Sequence, residues 1–169
     1  CLTMPGSPGP CGRPPEGLLL TAAETSVPAP WDDSGVNAAY DIDVAHDANF
    51  QNILPWYRGI AIASGAPRRL VVKGLVPSQR VYVRVSCVDS QGGASAPAVS
   101  DMATLPGKAG TAYVAYAPGT SVTLNNQRAA LTLGPAALDG PETISLEKEE
   151  AALLPPLTGM TAMGEAFRI

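Results

Sequence analysis

The chain has 169 residues, of which 46% are apolar and only 15% charged, and a formal net charge of -4. This is core material for one sandwich-sized domain of about 100 residues and a smaller piece, while 17 Gly and 17 Pro interrupt every stretch that could have become a long helix. No basic run exceeds Arg68-Arg69, and no apolar run approaches the roughly 20 residues that cross a bilayer, so nucleic acid, an anionic membrane surface and a membrane span are set aside as partners.

Residues 1–16 carry Pro and Gly too densely for any regular hydrogen-bonded element and are read as an extended linker. The chain opens on Cys1 without a charged and apolar leader, so its start is read as a cut or processed end. Cys1, Cys11 and Cys87 lack metal-type spacing, and an odd count leaves at least one thiol without a partner in the chain. A short disulfide loop to Cys11, a lipid on Cys1, or a plain fragment boundary each account for Cys1, the last most simply.

Strand signals follow from residue 17. In residues 40–44 strict alternation puts Tyr40, Ile42 and Val44 inward and Asp41 and Asp43 outward into water. Residues 69–75 read as a strand that must stop at Pro77. The clearest signal is residues 81–88, where Val81, Val83, Val85 and Cys87 share one face, with Cys87 expected as a small buried hydrophobe. After Gly92-Gly93, residues 98–104 can return antiparallel to that strand.

Beyond Lys108 the alternation restarts at residues 111–116, 121–124, 129–133 and 143–147, between Pro-Gly, Asn-Asn and Asp-Gly-Pro turns. A helical turn is expected over residues 149–154, before Pro155-Pro156, and the last residues, Phe167, Arg168 and Ile169, read as a strand cut in its middle.

The order Pro30-Trp31-Asp32-Asp33-Ser34-Gly35, Ala39-Tyr40-Asp41-Ile42, Leu75-Val76-Pro77, residues 81–89 and Gly92-Gly93 resembles a bacterial-style fibronectin type III domain over residues 17–106. Two positions depart from that family. Val81 occupies the place of the tyrosine that ties the corner before strand F, so the corner must be held another way. Trp31 aligns with the loop after strand B, and Ser26-Val27-Pro28 is a poor strand interior. More faintly, residues 131–146 resemble the β module shared by ankyrins and netrin receptors.

The expectation is therefore an all-β chain: a linker over 1–16, an immunoglobulin-like, fibronectin type III-like sandwich of about seven strands over 17–106, and a smaller, truncated β unit over 107–169. The resemblance implies an extracellular or cell-surface spacer or protein-interaction module, flanked by neighbouring domains of a larger protein, with no cofactor and no catalytic role.

Against catalysis stands the chemistry itself. The only histidine, His46, sits in the polar stretch 45–49 with no nucleophile elbow, and reads as a surface loop residue. Asp32 and Asp33 are weak calcium candidates, since Asp41, Asp43 or Asp89 could fold near them; a turn that uses its own Asp and Ser side chains is the simpler reading. Trp56 and Tyr57 are the candidate ligand-binding residues, because aromatic faces stack on sugar rings or anchor a protein partner. If both rings share one open surface, the alternative is a carbohydrate-binding accessory domain of an extracellular hydrolase.

Overall fold

The computed structural model describes residues 11, 13–32, 39–89, 91–126, 129–149 and 166–168 of the chain. Strands β1 (Val27–Pro30), β2 (Ala39–Ala45), β3 (Ile60–Ile62), β4 (Arg69–Val72), β5 (Arg80–Val88) and β6 (Ala98–Ala103) build an N-terminal sandwich. One sheet runs β3-β2-β5-β6 and faces the pair β1-β4, with every pairing antiparallel. On the far side of β1 the amides of Leu19 and Thr21 donate to Pro30 and Pro28 carbonyls (both 3.1 Å), adding one more edge. This is the strand arrangement expected of a fibronectin type III-like sandwich.

The alternation read from the sequence sets the core. Val81, Val83, Val85 and Cys87 of β5 and Ile42 and Val44 of β2 are fully buried, and Tyr40 nearly so. They pack with Val27, Ala29 and Val72 from the opposite sheet and with Leu20 and Leu75. Burying each such side chain stabilises by roughly 1.5–3 kcal/mol, so this shared interior holds the two sheets together.

Strand β1, which takes the place of the expected strand B, corrects the sequence reading. Pro28 and Pro30 lie within it, and Trp31, expected in the following loop, continues its register: the Trp31 amide donates to Arg68 O (3.2 Å) and the Asp32 amide to Glu16 O (2.8 Å). In an extended strand alternate residues direct their backbone groups to opposite sides. Both prolines turn theirs toward residues 19–21, so the missing N–H groups cost the β1–β4 ladder nothing. Val27, Ala29 and Trp31 face inward, and Trp31 (4% exposed) meets Tyr40 edge to face, ring centroids 5.5 Å apart.

The corner before β5 is indeed held without tyrosine. Buried Thr104 accepts from the Gln79 amide (2.9 Å) and donates to Val76 O (2.8 Å), while Gln79 Oε1 accepts from the Val76 amide (2.9 Å). Thr104→Val should cost about 0.5–1.5 kcal/mol in a denaturant melt, because it keeps the shape but removes the hydroxyl's bonds to the Gln79 amide and the Val76 carbonyl.

Three further expectations change. Cys87 is buried, but as half of a disulfide to Cys11, which spans 76 positions and excludes a Cys1–Cys11 pair; Cys1 lies outside the described residues. The spacing of cysteines cannot reveal this, because only the fold brings Cys11 and Leu18 onto the sandwich core, with Pro15 buried beside them in the chain. Asp43 is covered and not wet: Gly59 N–H donates to its Oδ1 (2.7 Å), and Arg84 Nε and Nη2 donate to Oδ2 (2.8 and 2.6 Å). The loop after β2 folds back so that the Phe50 ring sits 4.6 Å from the Arg84 guanidinium.

The C-terminal unit comprises β7 (Thr111–Tyr116), β8 (Val122–Asn126), β9 (Ala129–Leu133), β10 (Glu142–Glu149) and β11 (Ala166–Arg168). One sheet runs β11-β10-β7, and the β8-β9 hairpin lies against it through β8. Asn125 and Asn126 belong to β8 and do not form the turn expected of them. The helical turn expected over 149–154 begins inside β10, which extends to Glu149, and its remainder lies outside the described residues, as does Ile169. Tyr116, Leu124 and Leu146 are buried between the layers. Tyr116 Oη accepts from the Ala137 and Leu138 amides (3.0 and 3.3 Å) and donates to Gly134 O (3.2 Å), tying the loop after β9 to the sheet.

Candidate functional site

Trp56 and Tyr57 sit on a 3-10 turn, Pro55–Tyr57, that the proline starts after Leu54. The turn crosses the end of the β3-β2-β5-β6 sheet, and the Leu54 amide holds it to Val44 O (2.8 Å). Successive residues on so tight a turn point in different directions, and the pair divides. Tyr57 goes inward, 6% exposed, and its Oη accepts from the Lys73 amide (2.7 Å) and donates to Lys73 O (3.2 Å). Trp56 stays 43% exposed. The two rings therefore share no open face.

Burial pushes the Tyr57 phenol above its ordinary value of 10.0, only partly opposed by the Lys73 amide. A tyrosine whose folded value is raised supports folding in full below its unfolded value and loses that support as pH climbs through the folded one. Stability should accordingly fall on the alkaline side of about pH 10, and Tyr57→Phe should flatten that fall, as read from urea midpoints across the alkaline range.

Trp56 forms one wall of a cleft of about 240 Å³ between the sandwich and the C-terminal unit. His46, Pro55 and Gln79 line it from the sandwich, Ala115 and Ala117 from the other side. Gly74 (φ +71°) lies at the base, where a Cβ would come within 3.1 Å of Pro141 Cβ and 3.3 Å of the Glu142 amide nitrogen. Only glycine combines that φ with so close an approach.

Contacts around this point join the units. Thr143 Oγ1 donates to Leu75 O (2.6 Å), Lys73 Nζ pairs with Glu142 Oε1 (2.5 Å), and Tyr113 Oη, which donates to Glu24, also accepts from the Lys108 amide (3.0 Å). The Lys73–Glu142 pair is half-exposed and serves mainly to neutralise the rim. The sequence alone could not pair these residues, since their partners lie 68 to 89 positions away.

His46 is exposed and its Nδ1 lies 3.4 Å from Gln79 Nε2. Its neighbour Asp47 is occupied as a turn cap: Oδ2 accepts from the Asn52 amide (2.7 Å) and Oδ1 from those of Asn49 and Gln51 (3.0 and 3.2 Å). These bonds, the Asn52 amide first, hold the Asp47 carboxyl below its usual range. Asp32 lies exposed at the end of strand B, and Asp33 is outside the described residues. Asp89 caps its own turn by accepting from the Gln91 and Gly93 amides (2.9 and 2.7 Å). Among the described residues no group of three or more His, Cys, Asp or Glu could hold a metal ion, and no helix is long and apolar enough to cross a membrane.

Strand order, register and shared core define a fibronectin type III-like sandwich followed by a second β unit. No protein-family model and no curated protein matches the chain, so the fainter likeness to the ankyrin and netrin-receptor module is without support. Solved structures do match. A fibronectin type III domain of the human fibronectin type III domain containing protein 3 is 22% identical, over 60% of this chain and 92% of that one, with TM-score 0.44. The FN5 domain of Drosophila Lar is 15% identical, over 56% of this chain and 98% of that one, with TM-score 0.42. A β-1,2-glucanase from Parabacteroides distasonis is 17% identical over 62% of this chain with TM-score 0.46, and the chain spans only 14% of that enzyme's length.

Proposed function

We propose that the chain is a non-enzymatic spacer and protein-interaction module of a larger secreted or cell-surface protein. In it a sandwich over 17–106 and a second unit over 107–169 are held in fixed relation. The observation that carries this is the joint: Thr143 bonds the Leu75 carbonyl and Pro141 packs on Gly74, so backbone of one unit is directly engaged by the other. A flexible tether between independent domains makes no such contacts, and interfaces of this kind are what limit relative domain motion.

The Cys11–Cys87 bond supports the compartment, because a buried disulfide closing so long a loop belongs to oxidising surroundings. The inward Tyr57 ring supports protein contact over sugar stacking, which needs both rings on one open face. The test is backbone NMR relaxation on the intact chain. A single rotational correlation time across residues 39–89 and 111–149 is expected, and clearly separate values for the two units would sink the rigid-spacer reading.

A further inference from the structure

We infer that the cleft at the joint is a docking pocket for one apolar side chain, aromatic or branched aliphatic, presented by an extended segment of a protein partner. This deepens the module reading above and rests on it.

Size is the first argument. At about 240 Å³ the cleft lies below the roughly 300–1,000 Å³ of pockets that enclose a cofactor or drug-sized ligand. The cleft takes one large side chain or one ring, and anything longer must extend out of it. Polarity is the second argument. Several lining polar groups are already bonded inside the protein: Tyr57 Oη on the Lys73 backbone, Thr120 Oγ1 on Ala117 O (2.6 Å), Gln79 Oε1 on the Val76 amide (2.9 Å), and one Lys73 Nζ hydrogen on Glu142 (2.5 Å). A sugar would have to leave its hydroxyls unpaired there, at a desolvation cost an apolar group does not meet.

Charge is the third. The Lys73–Glu142 pair cancels at the rim, so neither an anion nor a cation is drawn in, and the charge-matched occupant is neutral. The His46 ring edge, the second amide hydrogen of Gln79 and the Trp56 indole N–H are left for bonding, which suits a peptide carbonyl beside the anchoring side chain. Trp56, half-exposed at the mouth, is the residue type that carries binding energy at such pockets. Because both units contribute walls, the pocket exists only while the joint is closed.

The test titrates the intact chain with N-acetyl-phenylalaninamide, N-acetyl-alaninamide and a β-linked glucose disaccharide, following the Ala115 and Ala117 methyl signals. The phenylalanine amide should shift both methyls saturably, and the alanine amide should bind at least about tenfold more weakly. Ala117→Phe, which fills the cleft, should weaken the phenylalanine amide by a similar factor. Should that variant unfold, Trp56→Ala at its half-exposed site takes its place. Equal binding of both amides, methyl shifts by the disaccharide alone, or unchanged binding by the folded variants would each overturn the proposal. A random peptide library selected on the intact chain separates the two readings. Binders that map away from the cleft overturn the pocket and leave the module standing, whereas no binder together with no amide binding overturns both.

Discussion

Replacing Cys11 and Cys87 together by serine and alanine is expected to remove about 4 kcal/mol of stability, the loop-closure entropy of a cross-link spanning 76 positions. The whole stability of a domain this size is about 5–15 kcal/mol, so the change takes a large share of it. Two effects add in the same direction. Cys87 is fully buried in the row Val81, Val83, Val85, and Cys11 ties down the segment that carries Leu18 and Leu20 onto the core. The checking measurement is a pair of urea melts, variant against oxidised parent, with non-reducing peptide mapping to show that the parent carries the Cys11–Cys87 bond. A loss under about 1 kcal/mol would mean that the bond constrains neither the unfolded chain nor the N-terminal segment.

Trp31→Ala is expected to cost about 3–5 kcal/mol, the range for emptying a large aromatic from a packed core. Trp31 closes the end of strand B against Tyr40, and removing it leaves a hole between the sheets that neither Ala29 nor Leu18 can fill. Its indole N–H is buried without a hydrogen-bond partner. Trp31→Phe should therefore be much milder than the alanine change, since it keeps most of the ring contact and relieves an unpaired donor that costs about 1–3 kcal/mol. Equilibrium melts of both variants check the ordering, and a phenylalanine variant as unstable as the alanine one would show that the full indole shape is required.

Much of the sandwich was legible in order of residues. Alternation in residues 40–44 and 81–88 identified the apolar buried faces of β2 and β5, and the Gly92-Gly93 pair marked a turn, whereas the strand expected over residues 69–75 ends already at Val72, ahead of Gly74 at positive φ. These are local properties: a period of two, an absent N–H, a permitted positive φ. The prolines of β1 misled for the same reason. A sequence tells that Pro28 and Pro30 lack donors, but not that both turn toward residues 19–21, where no ladder bond of β1–β4 is lost.

The candidate site was legible only in part. The aromatic pair stood out because aromatics are only 5% of the chain. The 3-10 turn decided which ring went inward, and the Lys73 backbone decided what it bonded. The cleft had no sequence signal at all, since Ala115, Ala117 and Pro141 are ordinary residues of a second unit and become walls only when β7 and β10 pack beneath the β4–β5 corner.

By itself, then, the sequence determined an all-β chain, the faces of its strongest strands and the residue type at the cleft mouth, because these follow from interactions between near neighbours in the chain. Tertiary structure alone decided that Cys11 would meet Cys87, that Asp43 would be covered by Arg84 and Gly59, and that two units would enclose a pocket. Each of those depends on groups brought together across long stretches of chain, and the pairing is chosen by how the sheets pack rather than by any local spacing.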